Sequence, residues 1–417
     1  MGANQSGNSK IKADFMLVDL SSAQIEHAEQ KLKSIASGKP YLDKVTFEKT
    51  YQSTMGILTS KIYDKLKEND KSNKERVQIT KILCLADRIH GTSSSLVEAL
   101  LALFADFNTA LREVIHSFGL SNSLSEWEQQ AFLDYVSAEP PKDPKDQRAC
   151  TNFIDRTQLI AAVARSVFAP LVFVQVKSLE PTLNGGESQL LPKASLIAIN
   201  SKLLYKYQDE WTLLFSSILH GSSFSTMVKR IDGEGRCVVV VESAKGNVFG
   251  CYASEGFESG PRYKGTAMSF LFQARPQINV FFPKHDQGKY AYLNFQQETM
   301  PNGLGMGGSG EIWPFFMRED YGSGTCQKNC TSFEPCWIAG EANFQIKNVE
   351  VWRVGQKDGP TVDEAGEPIV DEVKRKKDKS ILDKDPEAKA MLAMSGRRMH
   401  SEAYREPEPI LDETDSN

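Results

Sequence analysis

The stretch LLFSSILHGSSF, residues 213–224, gathers Ser216, Ser217, His220 and Ser223, a nucleophile and a base as hydrolytic chemistry uses them. A serine hydrolase also needs a third group to orient the histidine and an oxyanion hole, with the serine on a sharp strand-to-helix turn. Trp211, Leu214, Phe215 and Ile218 instead recur at the spacing of a buried helical face. His220-Gly221 reads as the end of that helix, imidazole at the negative end of the dipole and glycine at the cap. The expectation is a structural helix and no catalytic residue.

A second candidate is MPNGLGMGGSG, residues 300–310, where glycines crowd as they do in phosphate-cradling turns. A P-loop requires Lys and then Ser or Thr after its last glycine, and a Rossmann turn opens a helix. This run continues into Ile312, Trp313 and Pro314 and does neither. Gly303, Gly305, Gly307 and Gly308 are therefore expected to let the chain turn tightly against a sheet and to shape a partner-binding surface. Cys326, Cys330 and Cys336 show one spacing that zinc allows but no second pair and no nearby histidine, so no metal and no cofactor are expected. The nearest calcium-loop candidate, NDKSNKER at 69–76, offers lysines where carboxylates are wanted and lacks the glycine of the sharp turn.

Modification signals are more specific. MGANQS fits the N-myristoylation pattern, with Gly2 as acceptor and Ser6 in the required place. One acyl chain holds a membrane only weakly, and Lys374, Arg375, Lys376 and Lys377 are the candidate second, electrostatic signal. A net charge of −5 gives no bulk argument for nucleic acid. Seven cysteines, an odd number, suit a reducing compartment better than a disulfide framework. The polar start does not read as a secretory signal, so the sequons at Asn4 and Asn329 are expected to stay unmodified.

The elements that must position these residues change character along the chain. Residues 19–170 read as helical. Ser21 and Gln24 form a capping box before Ile25, Ala28, Leu32 and Ile35. A second helix carries Val77, Ile82, Leu85, Ala86 and Ile89 to Gly91, and further helices fit 94–117, 124–137 and 153–168. From about residue 195 short β-rich runs take over. RCVVVVES and NVFGCYAS are joined by Ala244-Lys245-Gly246, and SFLFQA, INVFFP, AYLNF and NFQIKNVEVWRVG follow. The fold class is α+β, a helical domain followed by a two-sheet antiparallel sandwich. Residues 357–379 read as a charged linker, 401–417 as a disordered tail, and the first 18 residues as a flexible, myristoylated N-terminus.

Trp211 with LLFSSILHGSSF, the hairpin ending VFGCYAS, Gly265 before SFLF, NGLGMGG, and the closing FQIKNVEVW together resemble the TLDc domain family over residues 190–356. The MGxxxS start, the helical first half and the tail KSILDKDPEAKAMLAMSG resemble its myristoylated, mTOR-associated branch. The resemblance implies two antiparallel sheets with flanking helices and no accepted catalytic centre. It implies a non-enzymatic regulator in the cytoplasm and on the cytosolic face of lysosomal membranes, contacting V-ATPase subunits and mTOR signalling components, with no nucleic acid. Family members are also tied to oxidation resistance, and a cytoskeletal or structural adaptor is a further alternative. The helical half of the family is sometimes EF-hand-like, here without calcium loops.

The tail supplies the mechanism. Asp385, Pro386 and Glu387 suit a helix start, and Gly396 with Arg397 and Arg398 its end, within residues 380–400. Ala388, Met391 and Leu392, extended by Ile381 and Leu382, form a short apolar stripe. A helix this short is not stable alone, so the stripe must bury on the chain's own sandwich or in a partner's groove; the expectation is the partner, with the helix linked flexibly to the sandwich and bridging two pump subunits.

Overall fold

The computed structural model describes residues 19–68, 76–173, 178–284, 288–298, 300–308, 312–328, 330, 332–357 and 391. The chain divides into two compact units, residues up to Pro181 with Pro192–Lys202, and Thr182–Leu191 with the chain from Leu203 onward.

The first unit is helical. Helix α1 (Ser22–Ile35) starts at the expected capping box: Ser21 Oγ accepts the Gln24 amide, and Gln24 Oε1 accepts the Ser21 amide at 2.9 Å. Its buried face is Ile25, Ala28 and Leu32. Strand β1 (Tyr41–Asp43) then leads into α2 (Lys44–Met55), and α3 (Leu58–Glu68) precedes strand β2 (Arg76–Gln78) and α4 (Ile79–His90). The two short strands pair antiparallel, Leu42 opposite Val77, and so tie two helix–strand–helix units together. Asp43 caps α2, accepting the Thr46 amide at 2.8 Å, and that bond holds its carboxyl below the usual range. The candidate calcium loop lies outside the described residues except for Arg76, which opens β2.

Two expected helices are each broken in two. The stretch 94–117 forms α5 (Ser93–Leu103) and α6 (Phe107–Ser121), bent by 92°. The cause is Asp106, whose carboxylate accepts the Thr109 amide at 2.9 Å and starts a new helix. After α7 (Glu126–Val136), the stretch 153–168 is shared between α8 (Gln147–Arg156) and α9 (Gln158–Phe168), which part at Thr157. Among the described residues no single helix is long and apolar enough to cross a membrane. The chain's entry is pinned by Asp87, a buried carboxylate on α4 that accepts the amides of Asp19 at 3.0 Å and Leu20 at 2.7 Å. Arg165 closes the C-terminal end of α4, donating to the carbonyls of Ile89 and Gly91.

In the second unit, β3 (Thr182–Asn184) pairs parallel with β4 (Glu210–Ser216); α10 (Lys193–Asn200), between them in sequence, belongs to the first unit, where it packs on α7. After β4 come α11 (Ser217–His220) and α12 (Phe224–Ile231), and then the strands β5 (Cys237–Ser243), β6 (Val248–Ala253), β7 (Phe270–Arg275), β8 (Asn279–Phe281), β9 (Ala291–Asn294), β10 (Gly303–Met306), β11 (Phe315–Arg318), β12 (Ser323–Thr325) and β13 (Asn343–Val354). Their hydrogen-bonded order is β8-β7-β6-β5-β13-β12-β11-β10-β9, with β4 also on β13. Every pairing but β3–β4 is antiparallel. The twelve-residue β13 is the spine, its first half against β12 and its second between β4 and β5. One core takes side chains from both arms: Val239, Val241, Phe249 and Leu271 on one side, Leu293, Leu304, Phe315 and Met317 on the other. Gly246, at φ +83°, turns the β5–β6 hairpin where the sequence places it.

Candidate functional site

Trp211 and Phe215 are core residues as expected, but they lie on strand β4 and not on a helix. Short apolar runs carry both periodicities, and here β3 and β13 flank the segment and satisfy its backbone on both edges. The helix that does form, α11, has four residues, ends at His220, and is capped by Gly221 at φ +80°.

The strand-to-helix junction holds each polar group on the backbone. Ser217 Oγ accepts the Val349 amide at 3.0 Å and faces Asn348 Oδ1 at 3.4 Å, both on β13. His220 Nδ1 accepts the Ser216 amide at 3.0 Å, with its ring 5.8 Å from that of Phe215. Ser223 caps α12 by accepting the Thr226 amide. The effect is to hold Ile218 and Leu219 out to solvent, 55% and 66% exposed, on a rigid turn. Leu214, from the same expected stripe, is only partly buried against the core.

Glu350 on β13 is a residue that sequence reasoning passes over. Its carboxylate is 2% exposed and accepts three neutral donors: the Ser188 hydroxyl at 2.6 Å, the Gln189 amide at 2.9 Å and the Trp352 indole at 3.0 Å. It fastens the chain after β3 to the spine of the sheet. An acidic residue inside the apolar run VEVW is the only sequence signal for it.

The glycine run is a correction to the expected surface turn. Gly303–Met306 is strand β10, paired on both edges, and Gly303, Gly305, Gly307 and Gly308 are all buried. The close approach they permit is made by the chain's own rings. A Cβ on Gly305 would stand 2.6 Å from Phe316, and one on Gly308 would overlap the Trp313 indole. Trp313, Phe316 and Tyr292 form a second aromatic cluster here, with Tyr263 stacked on Trp313 and donating its hydroxyl to the Gly308 carbonyl at 2.7 Å.

Cys326 and Cys336 are buried, and burial pushes both thiols up, away from nucleophilic or ligand chemistry. Cys330 is half-buried and accepts the Phe333 amide. Among the described residues no three His, Cys, Asp or Glu side chains are grouped to hold a metal. Gly2, Lys374, Arg375, Lys376, Lys377, Ile381, Leu382, Ala388 and Leu392 lie outside the described residues, as do most of the linker, docking helix and tail. Met391 is described, and is exposed.

Residues 185–355 match the TLDc domain. The MTOR-associated protein MEAK7 of Gallus gallus is 41% identical over 225 residues, 54% of this chain and 45% of that protein. Its namesake in Homo sapiens is 38% identical over 223 residues, 53% of this chain and 46% of that protein. Oxidation resistance protein 1 of Xenopus tropicalis is more distant, 27% identical over 143 residues, 34% of this chain and 16% of that protein. The chain thus spans about half the length of the MEAK7 relatives it matches. With its α+β architecture, this chain matches the TLDc domain over residues 185–355 and is similar, over about half its length, to MTOR-associated protein MEAK7 of several vertebrates.

Proposed function

We propose that this chain is a non-catalytic regulatory adaptor of mTOR signalling, tethered to the cytosolic face of lysosomal membranes through an acylated Gly2 and docked on the V-ATPase. The observation that carries the binding reading is the SSILHG turn. Its hydroxyl and imidazole hold main-chain amides, while its two aliphatic side chains face solvent. Exposed apolar side chains on a rigid scaffold are what a docking face needs. The mTOR association is carried over from the relatives, which are mTOR-associated proteins.

The pump contact has two parts in this reading, the TLDc domain and the segment 380–400, joined by the charged linker, so that the first contact raises the effective concentration of the second. The run Lys374–Lys377 adds electrostatic attraction to the anionic leaflet. Affinity purification of the tagged chain from cells, with mass spectrometry of its partners, tests it. Pump subunits are expected with the parent, fewer with Ile218→Ser/Leu219→Ser, and fewer after deletion of 380–417. Gly2→Ala is expected to move the protein off membranes without unfolding it. Recovery of cytoskeletal components in place of pump subunits overturns the pump reading and favours a structural adaptor.

A further inference from the structure

The helical unit contains a cavity of about 220 Å³ between the end of α3, α4 and α5. Leu66, Leu85, Ala99, Ala102 and Leu103 give it an apolar lining, Cys84 stands in its wall, and Lys65, Lys81 and Arg88 are its basic members. An apolar cavity of about 150 Å³ already holds a benzene-sized group, so this one has room for a ring and an aliphatic side chain.

The chain enters the described structure beside this cavity. Asp19 and Leu20 are bound through their amides to Asp87 on α4, and Asp19 Oδ2 accepts the Ser95 hydroxyl of α5 at 3.3 Å. Ser95 lies on the same helical stripe as Ala99, Ala102 and Leu103, at i, i+4, i+7 and i+8. From Ser95 to Ala102 is about 10 Å along the axis at 1.5 Å per residue. The residues directly before the clamp are Asp14-Phe15-Met16-Leu17-Val18, an apolar run preceded by an acid. Four extended residues cover about 13 Å, and alternate side chains share a face.

We infer that the groove between α4 and α5 is the docking site of the chain's own N-terminal segment, with Phe15 and Leu17 as the occupants of the cavity. α4 and α5 are joined by the short turn at Gly91-Thr92, so the groove runs from the Asp19 clamp back toward Lys81 and the end of α3. The Asp19 clamp at the turn end fixes the direction of the segment, while Lys81 is engaged by the Leu66 carbonyl and Arg88 by Glu98 along the groove. Burying the run also sets where the first residues of the chain leave the unit. This inference is independent of the partner reading above.

Cys84 reports on it. In a full-length Cys330→Ser background, Cys84 is the remaining cysteine that is not buried. Its alkylation rate is measured in the parent, in Phe15→Asp/Leu17→Asp, and in a Lys10→Gln/Lys12→Gln control, with thermal unfolding showing that all three fold. The double aspartate variant is expected to label about five-fold faster or more, the control at the parent rate, and added peptide of residues 13–20 to restore protection. Equal rates in the parent and the double aspartate variant overturn the inference. Protection that grows with protein concentration overturns it too, because a second copy then covers the groove.

Discussion

The rings of Phe249 and Phe315 meet edge to face, centroids 6.2 Å apart and planes at 81°, although their strands stand four places apart in the hydrogen-bonded order β6-β5-β13-β12-β11. In a flat sheet that separation is about 19 Å. The contact therefore records the closure of the sheet on itself around β13, which turns one hydrogen-bonded path into two packed layers with a shared core.

That closure gives the first prediction. Phe249→Ala or Phe315→Ala removes a fully buried ring and is expected to cost about 3–5 kcal/mol in denaturant unfolding. A double-mutant cycle between them should return about 0.5–1.5 kcal/mol of coupling. Strict additivity would mean that the two layers are stabilised independently of this contact.

Glycines of equal standing in the sequence differ sharply in space. Gly308→Ala drives a methyl into the Trp313 indole and is expected to cost about 1–3 kcal/mol from overpacking. Gly246→Ala meets nothing within 4 Å and bears only the strain of its φ of +83°, which costs about 1 kcal/mol. Trp313 fluorescence should shift in the first variant and stay as in the parent in the second. A Gly308→Ala protein with unchanged melting and emission would mean the indole is not packed there.

The serine and histidine separate binding from catalysis. Ser217→Ala leaves the Val349 amide without its acceptor and is expected to cost about 1–3 kcal/mol, while His220→Ala costs less than any core truncation. Both variants should keep partner capture in the affinity purification. A well-folded His220→Ala protein that binds its partners but has lost all cellular effect would favour an enzyme.

How much of this was legible in the sequence varies with the physics. The capping box at Ser21 and Gln24 and the β5–β6 hairpin are read correctly because the signal is local chemistry, a side chain two or three residues from its partner. The break at Asp106 is missed although its cap is equally local, because the apolar residues of SLVEALLALFADF continue on both sides of it. β4 is read as a helix because its identity comes from neighbours distant in sequence, Leu183 and Val354 opposite Trp211. The glycines show the same limit. Their composition announces close approach, but the approaching group, an indole a few residues on, is known only from the fold.

The helical unit should lose stability in mild acid through His90. Burial, reinforced by the charge of Arg165, pushes its imidazole down to about 4, and its ring stands edge-on to Phe173 at 4.9 Å. The folded state holds the ring neutral while the unfolded chain takes a proton below about 6.5. The stabilisation is therefore complete above pH 6.5 and is lost as pH falls toward 4, about 2 kcal/mol by pH 5 and about 3 by pH 4. His90→Phe keeps the edge-on contact and should flatten this part of the urea midpoint–pH profile. An identical profile in both proteins would assign the acid sensitivity to other groups.

Glu350 gives the last prediction, and it tests whether one buried carboxylate organises the edge of the domain. Its two oxygens receive the Ser188 hydroxyl, the Gln189 amide and the Trp352 indole, with the carboxylate and the indole both buried. Glu350→Gln keeps one acceptor oxygen but turns an amide N–H₂ toward a donor, so at least one donor is orphaned, at about 1–3 kcal/mol. Glu350→Leu orphans all three and should cost more than the Gln variant, despite its better match to the apolar strand. The loss has a place as well as a size. Residues 185–191 are held to β13 by this carboxylate and to β4 through β3, so the Gln189 amide should lose hydrogen-exchange protection in both variants while the β5 and β6 amides keep theirs. Uniform loss across the sheet would make Glu350 a general core residue, and unchanged protection at Gln189 would mean that the segment is anchored by β3 alone.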